Sequence, residues 1–148
     1  MAAPDTPALD RFLSYRLHQV AKLTDRVSSE AYAAELGLAV GEARCLAAVG
    51  QFAPLSVVEL AARANLHKAP ASRAAQALVE RGLVSKHASE TDGRGVVLRL
   101  TPAGRKLWSR VMALVERRNQ EIFGCLSSAE QKQFGAMLDR LVDNAGAR

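Results

Sequence analysis

The sequence lacks any long apolar run and contains few cysteines. No stretch approaches the roughly 20 apolar residues that a membrane-spanning helix needs, and residues 1–10 lack the basic and apolar segments of a signal peptide. Two cysteines, Cys45 and Cys125, are too few for a disulfide scaffold. We therefore expect a cytoplasmic protein with no membrane partner. Both cysteines lie in apolar helical patterns, which predicts that they are buried.

The signatures of catalytic and metal sites are also missing. The chain contains no nucleophile elbow, no phosphate-binding loop and no zinc-ligand spacing. Its three histidines, His18, His67 and His87, are scattered along the chain, and no Cys-x-x-Cys pair occurs. We predict that the protein is not an enzyme and that it uses neither a metal ion nor another cofactor.

What the sequence does contain is an uneven distribution of charge. The whole chain of 148 residues carries a formal charge of +5. The segment from Arg63 to Arg110 has ten Lys or Arg residues and three Asp or Glu residues, so it carries +7 while the remainder carries −2. A basic block of this kind is expected of a protein that binds the phosphate backbone of nucleic acid. A basic surface without a partner would give the same count, so charge alone leaves that alternative open.

Apolar spacing and capping residues predict six helices and one hairpin. Apolar residues recur every three or four positions in the helical segments. Ser56 and Ser127 are each followed three residues later by glutamate, which is the pattern of a capping box. The predicted order is helix 9–35, helix 40–52, helix 57–64, helix 67–81, strands 83–88 and 96–100, helix 101–123 and helix 128–142.

The middle of this order is the plan of a winged helix-turn-helix. Helices 57–64 and 67–81 are joined by a tight turn and followed by the hairpin, and Asn65 tolerates the left-handed conformation that such a turn needs. We therefore predict a mainly α fold with a small β-hairpin wing; a generic helical hairpin is the alternative. The residues placed to pack the helix pair are Leu60, Ala61, Ala64, Leu66, Ala71, Leu78 and Leu83.

The second helix of the pair would present polar side chains to the major groove of DNA, where base edges are distinguishable. Arg73 can form a bidentate pair with guanine, and Gln76 can do so with adenine. Lys68 and Ser72 suit phosphates or base edges near the start of the helix. Ordinary exposed polar residues would look the same in sequence, so each assignment is a prediction.

The hairpin tip carries a further predicted contact. Asp92 and Arg94 flank Gly93, so the carboxylate can brace the guanidinium, and an arginine on a thin loop suits a narrow, electronegative minor groove. A solvated loop charge is the alternative. The residues predicted to contact double-stranded DNA are Ser56, Lys68, Ala69, Ser72, Arg73, Gln76, Lys86, Asp92 and Arg94.

The wing sequence resembles that of the MarR family of transcriptional regulators. Residues 83–86 (Leu-Val-Ser-Lys), the tip 92–94 (Asp-Gly-Arg) and residues 100–104 (Leu-Thr-Pro-Ala-Gly) are similar to the family's Asp-x-Arg tip and Leu-Thr-x-x-Gly helix start. The resemblance runs from about residue 12 to residue 142 and implies a regulator that represses by occluding promoters. Ala39, Pro70 and Ala71 depart from the family pattern, which leaves the operator sequence open.

The two ends of the chain predict a homodimer. A two-fold dimer reads two half-sites of a pseudo-palindromic operator, with centres roughly 34–36 Å or a multiple apart. The terminal helices carry more apolar residues than a module of this size needs, and the resemblance implies that they dimerise. We assign residues 1–36 and 104–148 to a helical dimerisation region and residues 37–103 to a winged helix-turn-helix DNA-binding lobe.

The resemblance also implies an effector, a small aromatic or heteroaromatic carboxylic acid bound between the dimer helices and the DNA-binding lobe. The candidate residues are Arg16, His18, Arg44 and Cys45, because a guanidinium pairs well with a carboxylate and His18 could donate a second bond. Binding would shift the population away from the DNA-competent spacing. The alternatives are that Arg16 and Arg44 form surface or interhelical salt bridges and that His18 is a partly buried structural residue.

Two other functions are compatible with the same sequence. A redox-responsive regulator on this fold would use Cys45 or Cys125, and a reactive thiol needs an exposed, electropositive setting. A winged helix can also serve protein contacts alone, although the basic block argues against that use.

Overall fold

The computed structural model describes residues 5–91, 93 and 95–146, and its elements follow the predicted order. Among these residues, no helix combines the length and the apolar composition needed to cross a membrane. A 3-10 turn (Leu9–Arg11) is followed by α1 (Leu13–Leu36), α2 (Val40–Phe52), α3 (Val57–Arg63), α4 (Lys68–Glu80), β1 (Val84–Ala88), β2 (Val96–Leu100), α5 (Pro102–Phe123) and α6 (Ser128–Gly146).

The two ends of the helical set differ from the prediction. A single helix from residue 9 is wrong, because Phe12 has an extended backbone (φ −67°, ψ 140°) that separates the 3-10 turn from α1. At the other end α6 continues past residue 142 to Gly146. Phe12 is the N-cap of α1, and an N-cap residue ordinarily has an extended backbone.

Left-handed residues set the positions at which three helices end. Gly37 (φ 63°) follows α1 and Gly82 (φ 73°) follows α4, where a residue with a Cβ would be strained. Asn65 (φ 55°) forms the turn between α3 and α4, as predicted. The N–H of Leu66 closes that turn by donating to the carbonyl of Ala61 at 2.9 Å.

The residues up to Leu114 form one compact unit, and its core lies beneath α2, α3, α4 and the hairpin. Small side chains of α3 and α4 are buried, which lets the two helices approach closely, and the predicted packing residues Leu60, Leu78 and Leu83 are buried with them. Leu66 is only partly buried. The largest fully buried side chains are Leu38, Leu46, Leu60, Leu78, Leu98, Val49, Val111 and Cys45.

The hairpin is fixed to the helix pair at its base. β1 and β2 are antiparallel, with Val84 opposite Leu100 and Ala88 opposite Val96. Leu98 of β2 also forms a bridge to Leu55, just before α3, and the Leu98 N–H donates to the Leu55 carbonyl at 2.8 Å. This bridge ties the wing to the start of the helix-turn-helix.

The first turn of α5 lies directly against the chain that follows α4. The Thr101 hydroxyl donates to the Gly82 carbonyl at 2.6 Å and accepts from the Gly104 N–H at 3.0 Å. A Cβ on Gly104 would collide with the backbone carbonyl of Leu83. The glycine is therefore needed for the close approach of α5 to the chain that follows α4.

Gly104→Ala is expected to destabilise the fold, because the colliding atom is backbone and cannot rotate away. Forcing one methyl into a packed site costs about 1–3 kcal/mol. The free energy of unfolding in urea measures the effect. Gly41→Ala is the matched control, since its Cβ would meet no atom within 4 Å, and it should leave stability unchanged or raise it by up to about 1 kcal/mol. Equal effects of the two substitutions would contradict the steric account.

The residues after Leu114 form a second compact unit, which contains the end of α5 and all of α6. The rings of Phe123 and Phe134 contact each other with centroids 5.9 Å apart. The predicted capping box is present: the Ser127 N–H donates to Glu130 at 2.8 Å and the Glu130 N–H donates to the Ser127 hydroxyl at 3.1 Å. Hydrogen bonds from the Ser127 backbone and side chain hold the pKa of Glu130 below its ordinary value.

Candidate nucleic-acid interface

Helix α4 has one buried apolar face and one exposed polar face. Ala71, Ala74, Ala75 and Leu78 are buried against the core. The opposite stripe follows the three- and four-residue spacing of one helix face. Its exposed members are Ala69, Ser72, Arg73, Gln76 and Glu80.

The start of α4 adds positive charge to this stripe. Lys68 is exposed in the first turn, and the preceding residue, His67, makes no side-chain cap to the helix. Arg73 is exposed, and within the described residues no hydrogen bond or ion pair engages its guanidinium. The side chain predicted to pair with guanine is thus available to a ligand.

Gln76, also predicted to contact a base, is held by two neighbours. Lys86 Nζ, on β1, donates to Gln76 Oε1 at 3.2 Å, and Gln76 Nε2 donates to Glu80 Oε1 at 3.2 Å. The structure therefore brings two of the predicted DNA-contacting residues, Gln76 and Lys86, into direct contact. Sequence spacing gave no signal for this pairing between α4 and β1.

The remaining predicted DNA contacts lie at the start of α3 and at the wing tip. Ser56 is the N-cap of α3, and its hydroxyl accepts from the Glu59 N–H at 3.2 Å, so its own proton remains available to a phosphate. The Ser89 N–H donates to the Gly95 carbonyl at 2.9 Å, which closes the described part of the hairpin. Asp92 and Arg94 lie outside the described residues, and the contacts assigned to them stay predictions.

Arg81, to which the sequence assigned no role, ties the end of α4 to the junction of α1 and α2. It donates to the Gly37 carbonyl at 3.3 Å and lies 3.7 Å from a carboxylate oxygen of Glu42. Glu42 in turn accepts from the Ala39 N–H at 2.9 Å. These contacts link the end of α4 to the start of α2.

The four residues predicted to bind an effector are not gathered into one described cavity. Arg44 pairs with Asp25 at 2.9 Å, linking α2 to α1, which is the interhelical salt bridge that the sequence left open as an alternative. Arg16 and His18 are both exposed on α1, but residues two apart on a helix do not face each other. His18 lines a surface cavity of about 500 Å³ together with Tyr15, Gln19, Lys22, Leu23 and Arg26.

The two cysteines occupy different environments. Cys45 is fully buried, as expected, and burial raises the pKa of its thiol to about 11. The thiolate is the reactive form, so this environment disfavours Cys45 as a redox switch. The prediction that Cys125 is buried is wrong: it is exposed, just beyond the end of α5. Its apolar neighbours suggested burial, but the helix ends before it and the turn leaves its side chain in solvent.

Comparison with known proteins identifies the fold and the family. A sequence model described as the MarR family matches residues 36–95. The HTH-type transcriptional repressor Rv2887 of Mycobacterium tuberculosis (strain H37Rv) is 31% identical over 132 residues, covering 89% of this chain and 94% of its own length. The relatives found are described as transcriptional repressors or regulators rather than enzymes.

Two solved structures share the fold of this chain. The crystal structure of M. tuberculosis Rv2887 in complex with salicylic acid aligns with a TM-score of 0.72 and 31% identity, covering 95% of this chain and 99% of that chain. A MarR/EmrR-family regulator from Acinetobacter sp. ADP1 aligns with a TM-score of 0.87 at 22% identity, covering 96% and 100% of the two chains, and shows the shared fold. The predicted mainly α, winged helix-turn-helix fold is thereby confirmed. The chain belongs to the MarR family of transcriptional regulators.

Proposed function

We propose that the protein is a homodimeric repressor that binds a pseudo-palindromic operator and releases it when a small aromatic carboxylic acid binds. One observation carries this proposal: α4 presents an exposed polar stripe inside the basic block and next to β1 of the wing, and no other residue of the described part of the chain engages Arg73. A surface that served protein contacts alone would not need this concentration of positive charge.

On DNA, α4 would enter the major groove and the wing would follow the backbone. Arg73 would pair with guanine, and Ala69 would contact a thymine methyl group. Phosphates would be bound, and the register on the duplex fixed, by Lys68, Ser72, Ser56 and Lys86. At the wing tip, Arg94, braced by Asp92, would enter the minor groove.

The dimer would form through the terminal helices, residues 1–36 and 104–148, around the lobe of residues 37–103. This dimer is supported by a stripe of apolar side chains along the N-terminal helical region that is exposed in the single chain. A smaller group of exposed apolar side chains lies on α6. Exposed apolar surface of this extent marks an interaction site. The exposed apolar residues are Leu9, Phe12, Leu13, Leu17, Val20, Leu23 and Val27, with Met137, Leu141 and Val142 on α6.

The effector proposal rests on the relative solved with salicylic acid and on cationic side chains of this chain. Arg44 already holds a carboxylate, that of Asp25, between α1 and α2. A ligand carboxylate could take the place of Asp25 on that guanidinium and so alter the packing of α1 against α2. Arg81 would carry the change to α4 through the Gly37 junction. In this scheme His18 and the 500 Å³ cavity beside it would bind the aromatic ring, and Cys45 would pack beneath the site.

Calorimetry with salicylate tests the effector site. We expect Arg44→Ala to weaken binding about tenfold or more, because a hydrogen bond to a charged group contributes about 1.5–3 kcal/mol. Arg16, which does not line the cavity beside His18, is the remaining candidate for the carboxylate, and Arg16→Ala tests it. Arg11→Ala, which removes an exposed arginine from the 3-10 turn, should bind as the wild type does. Equal binding by Arg16→Ala and the wild type would remove Arg16 from the site, and the same holds for Arg44.

In vitro selection tests the DNA-binding function. Random duplexes carried through rounds of binding should converge on a sequence with two-fold symmetry and half-sites about one helical turn apart. The Arg73→Ala protein should not enrich that sequence. Selection that returns no common sequence, or an asymmetric one, would contradict the proposal.

A further inference from the structure

A hydrogen-bonded chain of three side chains joins the wing to the DNA-facing stripe of α4. Lys86 on β1 donates to Gln76, and Gln76 donates to Glu80 one helical turn later, with both donor–acceptor distances at 3.2 Å. All three residues are exposed. The three hydrogen-bonded side chains therefore lie on the surface that the proposed function places against DNA.

The chemistry of the two neighbours fixes the orientation of the Gln76 amide. An ammonium group only donates hydrogen bonds and a carboxylate only accepts them. The amide oxygen must therefore face Lys86 and the amide nitrogen must face Glu80. The opposite orientation would place the amide N–H groups against the ammonium and the carbonyl against the carboxylate. Without these neighbours an exposed glutamine side chain would adopt either orientation and several rotamers.

We propose that Lys86 and Glu80 are positioning residues that set which hydrogen-bonding face Gln76 presents to DNA, and hence the base preference at the position Gln76 faces. The inference rests on the proposed function. A glutamine amide has two N–H donors and two lone pairs. The hydrogen bonds to Lys86 and Glu80 use one of each, so one donor and one acceptor remain for a base. A bidentate pair with adenine needs one of each.

The charge of Glu80 allows its effect on base preference to be distinguished from its effect on the overall affinity for DNA. A carboxylate on the DNA-facing stripe is repelled by phosphates, so on its own it weakens binding to every sequence. Glu80→Ala should then raise affinity for random duplex while lowering discrimination at the Gln76 position. A residue that only supported the fold or added charge would not move these two quantities in opposite directions.

The experiment measures the affinity of each protein for the selected operator and for all single-base-pair variants of its half-site. Gln76→Ala identifies the position that Gln76 faces, where the wild type should discriminate about tenfold or more. We expect Glu80→Ala and Lys86→Met to reduce discrimination at that same position to about threefold or less. Lys86→Arg, whose side chain like that of lysine only donates hydrogen bonds, should retain it. Lys86→Met should also weaken binding to all sequences and reduce the salt slope by about 1.

Retention of wild-type discrimination by Glu80→Ala and Lys86→Met would overturn the proposal, as would a Gln76→Ala protein that changes no position. Arg73→Ala, measured in the same assay, separates this outcome from failure of the proposed function. If Arg73→Ala loses discrimination at its own position, the DNA-binding function stands and only the positioning role falls. If the wild type discriminates at no position, both fall.

Discussion

Replacing Arg73 with alanine is expected to weaken operator binding by about 30-fold or more without altering the fold. The side chain is exposed and, within the described residues, engages no partner, so its removal costs the folded chain no internal contact. A bidentate pair with guanine contributes about 1–3 kcal/mol of discrimination per half-site. A dimer would lose it twice, about 2–6 kcal/mol in all, which corresponds to an effect of roughly 30-fold or more. Fluorescence anisotropy with a labelled operator measures the loss.

Two companion variants separate a guanine contact from a general charge effect. Arg26→Ala removes an arginine whose side chain is 78% exposed on α1, outside the basic block, and it should bind the operator normally. Arg73→Lys keeps the charge but lacks the planar fork, so it should keep most non-specific binding and lose discrimination at guanine. An Arg73→Ala protein with wild-type affinity would show that α4 does not read base edges through this residue.

Replacing Leu17 with glutamate is expected to convert the protein from dimer to monomer at micromolar concentration. Leu17 is 56% exposed in the single chain and lies on one helix face with Leu13 and Val20, which are 77% and 53% exposed. A carboxylate buried without a partner in an apolar interface costs several kcal/mol. The intrachain core is untouched, so thermal unfolding should remain cooperative. Sedimentation velocity measures the change in mass.

The Leu17→Glu protein should also lose operator binding, because a dimer that contacts two half-sites binds far more tightly than one chain on one half-site. Lys22→Glu places a carboxylate at an exposed position of α1 that has no member of the apolar stripe three or four residues away, and it should remain dimeric. A Leu17→Glu protein that sediments as a dimer would place the interface elsewhere. A wild-type protein that sediments as a folded monomer at micromolar concentration would contradict the proposed dimer.

Features that depend on neighbouring residues along the chain were predictable from sequence. The left-handed turn at Asn65, the capping boxes at Ser56 and Ser127, and the bounds of α2 and β2 all follow from local backbone chemistry. The polar stripe of α4 follows from the same kind of spacing. Each is set by interactions between residues only a few positions apart.

Features that depend on distant partners were not predictable. Arg81 meets Gly37 across 44 residues, and Lys86 meets Gln76 across the start of the hairpin. Periodicity also does not distinguish a helix whose apolar face packs on its own chain from one whose apolar face is exposed in the single chain. The apolar residues of α1 are as regular as those of α2, yet most of them are exposed in the single chain. The error at Cys125 has a related cause, since apolar neighbours in sequence do not show whether a side chain packs on its own chain.

The most direct test of the central claim is a titration of the protein against the selected symmetric operator, one isolated half-site and a random duplex at several salt concentrations. The account predicts that two chains bind one operator, on the order of a thousandfold or more tighter than random duplex. The logarithm of affinity should fall steeply with the logarithm of salt concentration, and the half-site should bind far more weakly than the operator. Equal affinity for operator and random duplex, or no binding to any duplex at low salt, would contradict it.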